Sequence, residues 1–235
     1  LLVSNDACEH RQQRTLRRAR CGTAGAPLLA ICADAATFPE LREIGGSPLL
    51  YDRVLADVPC SGDGTLRKSP EKIHKWGVRA GLRCHATQLA ILLRGLELLA
   101  PGGVLAYSTC ALDPIQDEAV VSAALRASCH AVELVPPAEV LPEATVRELR
   151  AQPGLSTWHV PHPDYGDDER TAGASVHYGA WADVPAELRD EGAAVPLLRS
   201  MFPPAAPAGT HLGRCMRLLP TRGGGGGFFV AVLRR

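Results

Sequence analysis

Four short apolar runs in the first 110 residues each close on an acid or a thiol, and this pattern most constrains the fold. Leu1 to Asn5 is followed by Asp6, and Leu28 to Ala33 by Asp34. Tyr51 to Val58 contains Asp57 and leads to Cys60, and Val104 to Tyr107 closes on Ser108, Thr109 and Cys110. Runs of this length bounded by turn residues read as strands. Helical stretches lie between them. Cys8 to Arg20 is rich in Arg and Gln, as on a surface helix, and leucines 89, 92, 93, 96 and 99 recur at helical spacing from Cys84 to Ala100 until Pro101, Gly102 and Gly103 stop them. Asp113 and Pro114, followed by Gln116, Asp117 and Glu118, predict a capped helix start and a helix running to about Cys129.

Strands alternating with helices pair in parallel through right-handed crossovers, so the expected fold is an α/β sheet with helices on both faces. Ligands of such sheets sit beyond the carboxyl ends of the strands. That rule selects Asp6, Asp34, Asp57 with Cys60, and Thr109 with Cys110 as candidate site residues. A single strand-end Asp is more commonly a turn former or helix cap; several at equivalent ends favour a site.

The remaining composition bounds the class of protein. A chain of 235 residues with 46% hydrophobic content can bury one large core. Its 25 basic and 25 acidic side chains cancel, so a nucleic-acid contact would need a local patch. The cysteines at 8, 21, 32, 60, 84, 110, 129 and 215 lack the close pairing of zinc ligands, and no metal site is expected. No secretory signal or membrane-length apolar run is visible, which points to a reducing compartment and free thiols. Nothing in the sequence sets an oligomeric state. The first residue is leucine, as in a fragment.

The segment YDRVLADVPCSGDGTLRKSPEKIHKW, from Tyr51 to Trp76, resembles the corresponding motif of the Sun-domain (NSUN) RNA cytosine-5 methyltransferases, especially their eukaryotic tRNA-modifying branch. The likeness continues in YSTCALDPIQDEAVV from Tyr107, in MFPP from Met201, and in CMRLLP and GGFFVAVL near the end. It implies a Rossmann-like S-adenosylmethionine-dependent methyltransferase sheet, tRNA or other RNA as partner, and a location in the nucleus, the nucleolus included. It also implies that a first strand and its glycine-rich, lysine-bearing cofactor loop belong before Leu1, so that this chain alone is expected to be unstable or inactive. A catalytically inactive RNA-binding fragment is the alternative reading.

The resemblance assigns roles. The C5 atom of cytosine is a poor nucleophile, and the family's enzymes first add a thiolate to C6, which makes C5 an enamine carbon able to attack a sulfonium methyl. Cys110 corresponds to that thiolate, and Cys60 to the cysteine that assists elimination and release. Attack pushes negative charge toward N3 of the base, where Asp57 is the candidate donor or acid; to donate, its carboxyl must be protonated or share a proton with the ring, which burial against apolar walls would favour. Asp6 occupies the position that accepts ribose hydroxyls in a dinucleotide-type sheet. Asp34 matches the family residue that holds the adenine amino group, and Asp57 is expected near the cofactor as well. A DNA cytosine-5 methyltransferase, which would use Cys60 as nucleophile and not need Cys110, is the rival enzyme class.

For RNA, the informative stretch is 67 to 83, which holds all three lysines, Lys68, Lys72 and Lys75, with Arg67, Arg79 and Arg83. These could grip phosphates while Trp76 stacks on a base or packs beneath the loop, or they could form a solvated charged face. His74 and His85 flank the same stretch. The other six cysteines read as small buried hydrophobes. Gly223 to Gly227 reads as a flexible hairpin connection, because no helix follows it. Asp164 to Glu169 reads as a loop. Phe228 to Leu233 alternates poorly and reads as a buried strand paired with either Cys215 to Leu219 or Val132 to Val135. The expected organisation is a partial catalytic core over 1–135, a loop-rich insertion over 136–222 and a terminal strand over 223–235.

Overall fold

The computed structural model describes residues 1–19, 27–129, 131–166, 177–205, 211–220 and 225–235, with the side chain of Lys75 outside that description. Cys21, Arg20, Gly223, Gly224 and the end of the acidic run, 167–169, therefore lie outside the described residues. The chain divides into two compact units, Leu1–Leu50 and Tyr51–Arg235, a different partition from the one expected at 135 and 222.

In the first unit, β1 (Leu2–Asn5) and β2 (Leu28–Ile31) pair in parallel, with α1 (Glu9–Ala19) between them. Register runs from Leu2 opposite Leu28 to Asn5 opposite Ile31. The Asn5 amide extends the pairing, donating to Ala33 O and accepting from Ala33 N, both at 3.0 Å. Gln12 of α1 donates to Ser4 O at 2.7 Å and so ties the helix to the strand before it. Glu9 opens α1 and Arg17 and Arg18 close it, the charge order that suits the helix dipole.

The second unit is built on β3 (Tyr51–Asp57), α2 (Val78–Glu97), β4 (Leu99–Thr109) and α3 (Glu118–Ala127). Short strands follow: β5 (Glu133–Leu134), β6 (Gln152–Pro153), β7 (Val160–Pro161), β8 (His177–Tyr178), β9 (Met216–Leu218) and finally β10 (Phe228–Arg234). The main sheet has the order β3-β4-β10-β9-β6, with β5 also on β10. β3 and β4 are parallel, as the alternation predicts, but β10 returns antiparallel to β4 and makes the sheet mixed.

β10 pairs with both strands between which the sequence left a choice: Phe228 lies opposite Leu218, and Leu233 opposite Leu134. Its alternation is also stricter than its composition suggests. Phe229, Ala231 and Leu233 are fully buried, while Val230 and Val232 on the opposite face are only partly covered. Apolar residues on both faces hid the period.

Helix boundaries moved for identifiable reasons. α2 begins at Val78 rather than Cys84, because Gly81, Leu82, His85 and Gln88 continue its buried stripe toward the N-terminus. α3 begins at Glu118, not at Asp113. Asp113 instead caps a preceding turn, accepting from Ile115 N through its side chain and from Gln116 N through its carbonyl, each at 3.0 Å. Leu92, Leu96, Leu105, Tyr107, Val120 and Phe229 form the centre of the core, with Tyr107 and Phe229 meeting edge-on at 6.3 Å. In the hard-to-read stretch after 136, Trp158 of PGLSTWHV is buried and donates to the carbonyl of Met201 in MFPP at 2.7 Å.

The cysteine expectation holds for buried Cys215 and fails for Cys8, Cys32 and Cys129, which are exposed; Cys84 is half-buried. Cys8 and Cys32 follow strand ends, and Cys129 lies past α3 in the left-handed region at φ 46°, so none sits on an inward face.

His85, which flanks the basic stretch in sequence, belongs to the buried face of α2. It is fully buried, its Nδ1 at 2.6 Å from Ile115 O and its Nε2 at 2.8 Å from Ser200 Oγ. Burial pulls its pKa down from 6.5 to about 4. Because the folded value lies below the unfolded one, the neutral imidazole contributes stability above pH 6.5 that is lost as the pH falls toward 4. Between pH 7 and pH 4, the unfolding free energy should fall by about 3 kcal/mol more in the parent than in His85→Gln. Urea titrations at each pH check this, and parallel pH curves would contradict it.

Candidate active site

Parallel register places Asp57 opposite Ser108, so the loops leaving β3 and β4 start side by side at one sheet edge. The first carries Pro59 and Cys60 and the second Cys110. Their sulfurs lie 3.3 Å apart, both half-buried. Sequence reasoning placed these two thiols together, and the structure does so.

Backbone contacts and fixed side chains hold that approach. Gly64 N donates to Cys110 O at 2.9 Å. Asp63 bridges the two loops, accepting from Ser61 Oγ at 2.5 Å and from Leu112 N at 2.9 Å. Gln116 accepts from Ser61 N and donates to Ser61 Oγ, both at 2.8 Å. From α2, buried Gln88 donates to Pro59 O at 2.8 Å. Burial, with Asp63 nearby, pushes the Asp113 carboxyl up to about 6.

Behind Cys110 lies a buried charge cluster. Arg217 of β9 pairs with Glu118 at 2.7 Å and Asp117 at 3.3 Å, and donates to Leu112 O through both Nη atoms at 3.1 and 2.9 Å. Thr109 donates to Asp117 at 2.7 Å. Burial drives the Asp117 carboxyl well above its ordinary range.

The two thiols are not equivalent. A hydrogen bond from Cys60 is the main cause that lowers Cys110 from 9.0 to about 7, with help from the Lys72 charge and against burial and Asp57. Cys60 moves the other way, pushed up by that same hydrogen bond and by burial. Cys110 is therefore the more acidic thiol of the pair and Cys60 the one that holds its proton more tightly.

Asp57 accepts from Ser108 Oγ at 3.1 Å and is exposed, so the burial expected for it is not formed among the described residues. In the other unit, Asp6 accepts on Oδ1 from Cys8 N at 2.8 Å and from Arg11 at 2.9 Å, and Asp34 accepts on Oδ1 from Ala36 N at 2.9 Å. Both act as turn or cap formers on one oxygen. Their Oδ2 atoms have no partner among the described residues, so each carboxylate fits a ligand hydroxyl or amino donor.

Of the basic stretch, Arg79 is bound to Asp164 and to Pro163 O, which turns it away from a phosphate role. Lys68 and Lys72 are exposed, and Trp76 is 53% exposed rather than packed beneath its loop. Lys72 and Trp76 line a pocket of about 240 Å³ with Ser61, Asp63, Leu66 and Ala80.

Gln88, Gln116, Asp63 and Arg217 went unread as site residues. Gln88 did carry a signal: with His85 it interrupts with polar atoms the face of α2 that buries Leu82, Leu92 and Leu96. A close approach of glycines carried none. Gly227 N donates to Gly64 O at 2.6 Å, and a Cβ on Gly64 would stand 2.6 Å from Gly227 O and 2.7 Å from Cys110 O. The described end of the glycine-rich connection is thus docked on the Cys60 loop. Gly64→Ala should lower stability by about 2 kcal/mol, measured as a shifted urea midpoint. An unchanged midpoint would show that this contact is dispensable.

A family model described as 16S rRNA methyltransferase RsmB/F matches residues 1–167. The chain is 38% identical over 250 residues to the multisite-specific tRNA:(cytosine-C(5))-methyltransferase trm4b of Schizosaccharomyces pombe, covering all of this chain and 33% of the relative. It is 37% identical to the multisite-specific tRNA:(cytosine-C(5))-methyltransferase of Saccharomyces cerevisiae, covering all of this chain and 31% of that protein. The chain thus spans about a third of the length of these relatives. A methyltransferase homologue of Pyrococcus horikoshii shares the fold at a TM-score of 0.56 and 22% identity, over all of this chain and 53% of that one. NSun6 from Pyrococcus horikoshii with SFG does so at 0.56 and 17%, over 99% and 40%. On the family match across more than half its length, this chain belongs to the RsmB/F methyltransferase family.

Proposed function

We propose that this chain carries the catalytic thiols of an S-adenosylmethionine-dependent RNA (cytosine-5)-methyltransferase that acts on tRNA in the nucleus. The 3.3 Å approach of an ionisable Cys110 to a proton-bearing Cys60 is the observation that supports it most. The names of the relatives support RNA and tRNA as substrate, and the resemblance to the Sun-domain enzymes supports the nuclear location.

In this reading the Cys110 thiolate attacks C6 of an extruded cytosine, forming an S–C6 bond and moving the C5–C6 electron pair toward N3, where Asp57 supplies a hydrogen bond or proton. Asp6 and Asp34 would hold S-adenosylmethionine at its ribose and its adenine, and that group would supply an electrophilic methyl for the C5 enamine carbon and leave as the neutral thioether S-adenosylhomocysteine. Loss of the C5 proton then re-forms the C5–C6 double bond and breaks the S–C6 bond. Cys60 assists that elimination and returns Cys110 to its hydrogen-bonded state. The target must leave its stack to reach the thiols, so unpaired positions are the natural substrates. Arg67, Lys68, Lys72 and Lys75 would grip the flanking phosphates, and exposed Trp76 would stack on a neighbouring base.

Trapping on 5-azacytosine RNA, in the polypeptide that carries this chain, tests the assignment. Cys110→Ser should abolish the denaturant-stable adduct. Cys60→Ser should keep the adduct and slow turnover about 100-fold or more. Asp57→Ala should remove turnover with the unfolding midpoint unchanged. An adduct that forms through Cys60 and survives loss of Cys110 would instead favour chemistry of the DNA-methyltransferase kind.

A further inference from the structure

Among the lysines, Lys72 has the best-defined place. Its Nζ donates to Thr65 Oγ1 at 3.0 Å, and that hydroxyl donates to Gly62 O at 2.7 Å. The two bonds fasten the ammonium to the turn that follows Cys60. Gly62 is buried, at φ +72°, and the point where its Cβ would stand lies 3.6 Å from Lys72 Nζ and 3.9 Å from Cys110 Sγ. Thr65 Oγ1 lies 3.7 Å from the same point, so ammonium, hydroxyl and sulfur all face the bare Cα of Gly62. The two other N–H bonds of the ammonium have no partner among the described residues.

We propose that Lys72 is a positioning residue that stabilises the thiolate form of Cys110 before RNA arrives, a role beyond contact with phosphate. The groups that bear on this sulfur are Cys60 and Asp57 from the β3 side and Lys72 from the following loop; Cys84 of α2 interacts with Cys60 and Asp113, and Asp63 and Arg217 act on Asp113. Asp57 disfavours a second negative charge beside it, and Lys72 offsets that repulsion. Without it, the hydrogen bond from Cys60 would have to hold the thiolate against both Asp57 and burial. The inference deepens the assignment of Cys110 as nucleophile and rests on it.

Alkylation of Cys110 by iodoacetamide, followed by peptide mass spectrometry from pH 5.5 to 9.5 without RNA, reads the thiolate directly. Lys72→Gln should move the midpoint upward and slow labelling about 3-fold at pH 7, a modest effect because the lysine is exposed and screened. The plateau at high pH should be unchanged. Lys72→Arg should restore the parent midpoint, and 0.5 M salt should shrink the difference between parent and Lys72→Gln. A midpoint identical in parent and Lys72→Gln would overturn the proposal, as would equal slowing at every pH, which signals lost access instead. If azacytosine trapping runs through Cys110 while this profile stays put, only the role of Lys72 fails; if trapping runs through Cys60, the nucleophile assignment itself fails.

Discussion

Two thiols 3.3 Å apart need their backbones fixed to well under an ångström, because free loops would spend the approach as conformational entropy. Here the fixing comes from a small set of bonds between the loop after β3 and the loop after β4. Asp63 accepts from one loop through each of its oxygens, Gln116 reaches back to Ser61, and Gly64 donates to the carbonyl of Cys110 itself. The bare Cα atoms of Gly64 and Gly227 let two backbones approach to hydrogen-bond distance, where any side chain would hold them apart. Parallel register between β3 and β4 starts the two loops together, and this clamp keeps them so.

The clamp is itself held from behind. Arg217, buried with Asp117 and Glu118, grips the carbonyl of Leu112 just past the Cys110 turn. Burying one guanidinium with two carboxyls is costly unless their hydrogen bonds are satisfied, and Thr109, Leu112 and the backbone of Leu155 complete them. The cluster therefore links β9, α3 and the Cys110 loop in one polar network under the thiols. The hydrogen bond between the thiols, with burial, Asp57 and Lys72, then splits the pair into an ionisable Cys110 and a proton-holding Cys60. A symmetric dithiol would gain no such direction.

Much of this was legible in the sequence because strand ends in parallel sheets are where function collects. The apolar runs closing on Asp57 and on Thr109 with Cys110 predicted their own juxtaposition once pairing was assumed parallel. The support for the site was not legible, since it is non-local. Gln116 looked like part of a helix start, Arg217 like one basic residue in a short strand, and Gly227 like slack in a glycine-rich connection. Each gains its meaning from a partner at least 50 residues away. The antiparallel return of β10 was hidden for a different reason: a strand apolar on both faces shows no period to read. The exposure of Asp57 was hidden because residue type alone does not reveal it, and in the structure that side chain reaches the surface beside Ser108.

The convergence of the two sulfurs can be measured without RNA or cofactor. Phenylarsine oxide condenses with two neighbouring thiols to a cyclic dithioarsinite, releasing one water. One equivalent should bind, bridge the peptides that contain Cys60 and Cys110, and be lost in either serine variant while the six other cysteines remain titratable. Bridging through any other cysteine, or no bridge at all, would contradict the two-thiol site on which the account stands.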